Sequence, residues 1–121
     1  MRSASVWCLP LTLVGHALRL FTPGCTIVKR GGITLVHGAG AARLLDVPRY
    51  AAMAVGEVIF ARNRADMRTH LAHELEHVRQ SRKLGVLFPL AYLASSLWCV
   101  ATGKRAYWDN WFEKAARRVE R

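Results

Sequence analysis

The sequence predicts a single α+β domain, with a small antiparallel sheet packed on one long helix and two or three further helices completing the core. Three observations carry this. Residues 66–83 run without a helix breaker, and Met67, Leu71, Leu75 and Val78 recur at helical spacing. Two β-branched runs, residues 26–29 and 33–36, flank Arg30-Gly31-Gly32 and read as a hairpin. Finally, 121 residues suffice for one domain with one modest core.

Residues 1–22 form the first predicted element, an apolar N-terminal helix. Arg2 and the apolar run 6–14 suggest a weak signal sequence, but no good Ala-x-Ala site follows. After Pro10, Leu11, Val14, Leu18 and Phe21 are spaced as on a helix, which Thr22-Pro23-Gly24 ends. The expectation is a buried or membrane-associated helix, with His16 incidental to it.

The sheet is expected within residues 25–62. After the hairpin, His37-Gly38-Ala39-Gly40 reads as a strand exit, because no Lys-Ser/Thr follows to make a phosphate loop. Residues 41–45 suggest a short helix closed by Asp46-Val47-Pro48. Residues 54–61, Ala-Val-Gly-Glu-Val-Ile-Phe-Ala, are read as the next strand. Residues 62–66 are a polar turn, from which Asn63 or Asp66 can cap the helix that follows.

That helix, residues 66–83, carries His73-Glu74-Leu75-Glu76-His77. Histidines four apart share one helix face, so both imidazoles can reach one metal ion. Glu74 projects about 100° round from His73, beside the metal but not on it. A zinc ion held by two histidines and a third group lowers the pKa of its water to about 7, and a nearby carboxylate can take the proton. His73 and His77 are therefore candidate Zn2+ ligands and Glu74 a candidate general base. His70, three residues earlier, is an alternative ligand, though a solvated histidine is the plainer reading. Arg68, Arg79 and Lys83 read as a solvated basic face.

Residues 73–80, His-Glu-Leu-Glu-His-Val-Arg-Gln, resemble the active-site helix of the zincin metallopeptidases. They are most similar to small prokaryotic proteins with an HE-x-x-HV-x-Q helix followed by a Y-x-D/N-N-x-F/Y-E segment. Residues 107–113, Tyr-Trp-Asp-Asn-Trp-Phe-Glu, fit that second element. The resemblance covers about half the chain. It implies a minimal zincin-like domain of the Glu-ligand, gluzincin-like branch. Glu113 on a downstream helix would then be the third metal ligand, with Asp109 the substitute. It also implies hydrolysis of a peptide or protein substrate, paired to an edge strand within residues 54–61, a stretch that reads equally as an ordinary core strand. Asn110-x-x-Glu113 also reads as a simple helix cap. Tyr107, or in second place Tyr92, is a candidate phenolic donor to a developing oxyanion.

Residues 84–103 are mostly apolar and bracketed by Arg82-Lys83 and Lys104-Arg105, the length and polarity of a transmembrane candidate. A straight span of about 30 Å would put Glu113 across a bilayer from His77. The favoured reading is a buried helix that turns near Leu87-Phe88-Pro89 and runs back over about residues 90–100. A last helix is expected at residues 109–120, with Arg117, Arg118 and Arg121 as a basic tail.

Composition adds partners. The formal net charge is +10 with 52% hydrophobic residues, which fits an anionic membrane surface as well as a basic enzyme. The cations are scattered rather than gathered in one stripe, which argues against nucleic acid. No room remains for the second lobe of a larger zincin, so a partner protein completing the cleft is a further expectation. Three distant cysteines without a C-x-x-C suggest a reducing compartment, hence a cytoplasmic location with membrane association as the alternative. A non-catalytic zinc-binding domain is the competing reading of the same residues.

Overall fold

Strands β1 (Cys25–Arg30) and β2 (Ile33–Gly38) pair antiparallel across the Gly31-Gly32 turn, with Cys25 opposite Gly38 and Arg30 opposite Ile33. The hairpin expected from the sequence is thus present in the computed structural model, which describes residues 7–47 and 49–119. Arg2, Pro48 and Arg121, named above, and residues 6 and 120 at the ends of two expected segments lie outside the described residues. The molecule is an α+β domain with a four-stranded sheet and, among the described residues, five helices.

Two expectations about the sheet are corrected. The sheet is mixed, with order β1-β2-β4-β3, because β2 pairs parallel with β4. Helix α2 (Ala39–Asp46) lies between β2 and the next strands, and a helical crossover permits the parallel pairing that a tight turn forbids. The stretch 54–61 is not one strand. It is the end of β3 (Ala52–Val55), a turn at Gly56-Glu57, and β4 (Val58–Ala61). Gly56 takes φ 61°, and a Cβ there would stand 2.4 Å from the Thr12 amide nitrogen, so both backbone conformation and space demand glycine. The interior strand β4 is wholly buried, whereas β3 is an edge strand.

Alternation along the strands builds a core on each face of the sheet. Leu35, Ile59 and Ala61 pack with Met67 and Val78 of α3 (Arg64–Leu84). Val36, Val58 and Phe60 pack with Ala41 and Leu45 of α2. Of the apolar stripe expected on α3, Met67 and Val78 are buried, Leu71 is half-buried and Leu75 is exposed. Asn63 caps α3, its side-chain oxygen accepting from the Asp66 amide at 2.8 Å.

Helix α1 (Leu9–Arg19) carries Pro10 in its first turn, where the missing N–H breaks no helical bond. It docks through Thr12 and Gly15 on the β3–β4 hairpin, while Leu13 and Val14 stay exposed. Of the four apolar residues expected to define this helix face, Leu11 and Leu18 are half-buried, Leu18 against the α2-side core, whereas Val14 and Phe21 are exposed. Glu57, wholly buried at the hairpin turn, pairs with Arg82, and its amide donates to Thr12 Oγ1 at 3.1 Å.

The chain does turn back after α3, but at Gly85-Val86 rather than at Leu87-Phe88-Pro89. Gly85 takes φ 61°, and α4 (Leu87–Ala101) leaves α3 at 113°. Pro89 falls in the first turn of α4, which needs no donor from it. Among the described residues no single helix is long and apolar enough to cross a membrane. The return brings α5 (Trp111–Val119) against α3, with Ala116 fully buried. Cys8, Cys25 and Cys99 are free thiols.

Candidate metal centre

His73 and His77 project from successive turns of α3 toward the first turn of α5. Both present Nε2 to the same oxygen, Glu113 Oε1, at 2.9 and 3.1 Å. One potential ligand atom from each residue lies within 4.8 Å of the other two, and all three residues are buried. The sequence separates Glu113 from His77 by 36 residues, and the bend at Gly85 closes that gap.

Electrostatics follow from the geometry. Burial by itself would raise the Glu113 carboxyl, but hydrogen bonds from His73 and His77 and the charge of His77 hold it well below the usual carboxylate range. Burial would lower His77, but the hydrogen bond and charge of Glu113, with the charge of Glu74, push it up. Two imidazole nitrogens and one carboxylate oxygen thus converge with a share of protons that a cation could replace. This donor set is close enough to bind a metal ion.

The supports are specific. Gln80 Oε1 lies 2.8 Å from His77 Nδ1, and Gln80 Nε2 donates to the Phe112 carbonyl at 3.2 Å. The second bond orients the amide, so His77 donates from Nδ1 and aims Nε2 at the centre. Tyr92 of α4 donates to Glu113 Oε2 at 2.6 Å. Asn110 caps α5 by accepting from the Phe112 amide at 2.8 Å, and its Nδ2 donates to the Tyr92 carbonyl at 3.0 Å and to Ser96 Oγ at 2.8 Å. The cap expected at Asn110 therefore exists, and Glu113 is not spent on it. Its carboxylate serves the histidines instead.

A cavity of about 330 Å³ opens over the centre. Its lining includes His73, Glu74, His77, Glu113, Tyr107 and residues 52–56 of β3 and its turn. Glu74 is buried beside the histidines. Tyr107 reaches the cavity wall with its ring 6.0 Å from that of Tyr50, while burial and the charges of Glu113 and Glu74 raise its phenol. Of the two tyrosines weighed from the sequence, Tyr92 is the one bonded to a candidate ligand.

The substitute ligands stand apart from the three-residue cluster. His70 lines an adjoining cavity with Arg49 and Arg117. Asp109 accepts from the Arg105 amide at 2.8 Å, which lowers its carboxyl. Gln80, Tyr50 and the Asn110 clamp were not foreseen as parts of the site. Gln80 had a legible signal, three residues after His77 on the same helix face, and Asn110 was legible as a cap but not as the clamp on Tyr92 and Ser96. Compared with protein-family models, with curated proteins and with solved structures, the chain has no match.

Proposed function

We propose that this domain is a zinc-dependent, zincin-like metallopeptidase. The observation that carries the reading is the convergence of His73, His77 and Glu113 on one point, with Glu74 buried beside it at the base of an open cavity. Two imidazoles and a carboxylate with a position left open for water are a donor set suited to catalytic zinc. Bound zinc supplies a Lewis acid that brings the pKa of coordinated water to about 7.

The chain's own groups then divide the work. Glu74 accepts a proton from the attacking water and returns it to the leaving amine. The free edge of β3, which lines the same cavity, offers backbone donors and acceptors to an extended peptide. Tyr107 at the cavity wall donates to the oxyanion that develops on the scissile carbonyl. Tyr92 and Gln80 hold Glu113 and His77 in place.

The test is metal content and peptide hydrolysis on wild type and on Glu74→Gln, His77→Ala and Glu113→Ala. The reading expects about one zinc per chain, retained by Glu74→Gln with hydrolysis abolished, and lost from the other two. Zinc retained by Glu113→Ala at full affinity would sink the ligand assignment. Hydrolysis equal in wild type and Glu74→Gln would sink the mechanism.

A further inference from the structure

Helix α4 is built inside out. Its inner face uses hydroxyls: Ser96 donates to the Ala106 carbonyl at 2.8 Å, and Ser95 Oγ accepts from the Trp111 amide at 2.9 Å. Its outer face is Leu87, Leu90, Leu93, Leu97 and Trp98, each more than half exposed. No charged residue occurs anywhere in its 15 residues. Leu13 of helix α1, and Leu20 and Phe21 just past its end, are exposed apolar residues of the same kind. The segments leading into the two helices meet where a Cβ at Gly85 would stand 2.5 Å from the Trp7 carbonyl oxygen, and Leu11 of α1 lines the same cavity as Phe88 and Pro89 of α4. Exposed apolar surface on this scale marks a docking face.

We propose that the α1–α4 face docks on an anionic lipid bilayer, lying in the headgroup region with the cavity mouth between the two helices. Charge selects this occupant. Residues 1–45 and 84–108 contain no Asp or Glu at all. Exposed Lys83 stands at one end of α4 and exposed Lys104 at the other, while the neighbouring Arg105 is paired with Asp109. An apolar face with a lysine at each end and no carboxylate along it matches an anionic headgroup layer. A second copy of this chain, with its own lysines and a net charge of +10, would meet it with like charge.

The helix lies on the membrane and does not cross it. Fifteen residues give a length of about 22 Å, short of the roughly 30 Å hydrocarbon core. Its inner face is also tied to Asn110, which bonds the Tyr92 carbonyl and Ser96. This docking stands independently of whether the metal centre is catalytic.

Flotation of the full chain with vesicles tests it. Phosphatidylcholine alone is compared with phosphatidylcholine holding about 30% phosphatidylserine, the anionic lipid class that basic residues attract. The chain is expected to float with the anionic vesicles and to be released by salt. Leu90→Ser/Leu97→Ser is expected to weaken binding about tenfold or more. Lys83→Gln/Lys104→Gln is expected to weaken it about fivefold per cation. These side chains are exposed, so the variants should fold, which circular dichroism checks. Equal binding to neutral and anionic vesicles overturns the proposal, as does equal binding by wild type and the double-serine variant. No vesicle binding by a wild type that is dimeric, beside a monomeric double-serine variant, overturns it in favour of a second copy.

Discussion

Gln80 holds His77. Its side-chain oxygen lies 2.8 Å from His77 Nδ1, and its amide nitrogen is anchored at 3.2 Å on the Phe112 carbonyl, one residue before Glu113. One side chain therefore sets the tautomer of a ligand on α3 and ties it to the backbone that carries the ligand on α5. Removing such a partner typically weakens metal binding by about 10- to 100-fold. Gln80→Ala should lose zinc affinity within that range in a chelator competition, while Gln80→Glu, which keeps an acceptor at His77, should lose less. Unchanged affinity in the alanine variant would show that His77 needs no such support.

Tyr92 makes the complementary contact, 2.6 Å from the Glu113 oxygen that does not face both histidines. Tyr92→Phe keeps the ring packed against Phe88 and Phe112 and deletes only the donor. The freed carboxylate can rotate, so metal should bind about tenfold more weakly, at the lower end of the range for such supports. Stability without metal should fall by about 2 kcal/mol, since a hydrogen bond to a charged group is lost. If hydrolysis exists and Tyr92→Phe abolishes it with zinc retained, Tyr92 rather than Tyr107 is the phenol that meets the oxyanion.

The legible and illegible parts of this chain divide along sequence separation. His73, Glu74 and His77 sit within five residues on one helix, and the 3.6-residue period alone brings the two histidines together. The Gly31-Gly32 hairpin is equally local. The β2–β4 pairing was hidden because it depends on where α2 lays the chain, which no local pattern records. The Gly56-Glu57 turn was hidden because Val55 on one side and Val58-Ile59-Phe60 on the other read as one strand, and the need for glycine arises from Thr12, 44 residues away. Glu113 needed both a motif resemblance and the bend at Gly85. Bringing Glu113 back to His77 required a return, which the sequence reading places near Leu87-Phe88-Pro89, because a proline is a visible breaker and a glycine with positive φ is not.

Gly56 offers a direct check on that packing. An alanine there meets both a φ of 61° and the Thr12 backbone at 2.4 Å. Gly24 has a comparable φ of 76° but open space around it. Gly24→Ala should cost about 1 kcal/mol from backbone strain alone. Gly56→Ala should cost about 3 kcal/mol or more, because α1 must shift off the hairpin as well. Chemical denaturation measures both, and equal losses would mean that α1 is not seated on the turn.

The pH dependence of stability should separate the metal-free from the metal-loaded protein. Glu113 is depressed below its ordinary 4.5, so its contribution is present above that value and fades as pH falls through the folded pKa. His77 is raised above its ordinary 6.5, so its contribution is full below that value and fades as pH rises through the folded pKa. The metal-free protein should therefore melt highest between about pH 4.5 and 6.5 and decline on the alkaline side. Zinc requires neutral imidazoles, so its stabilisation should grow with pH over the range where His77 loses its proton. Melting temperatures from about pH 4 to 9, with chelator and with zinc, should diverge above about pH 6. His77→Gln should remove both the alkaline decline of the metal-free protein and the zinc effect. Parallel curves in wild type would mean that no proton is exchanged for metal at this site, and that the buried His73–His77–Glu113 cluster is held together by its own hydrogen bonds alone.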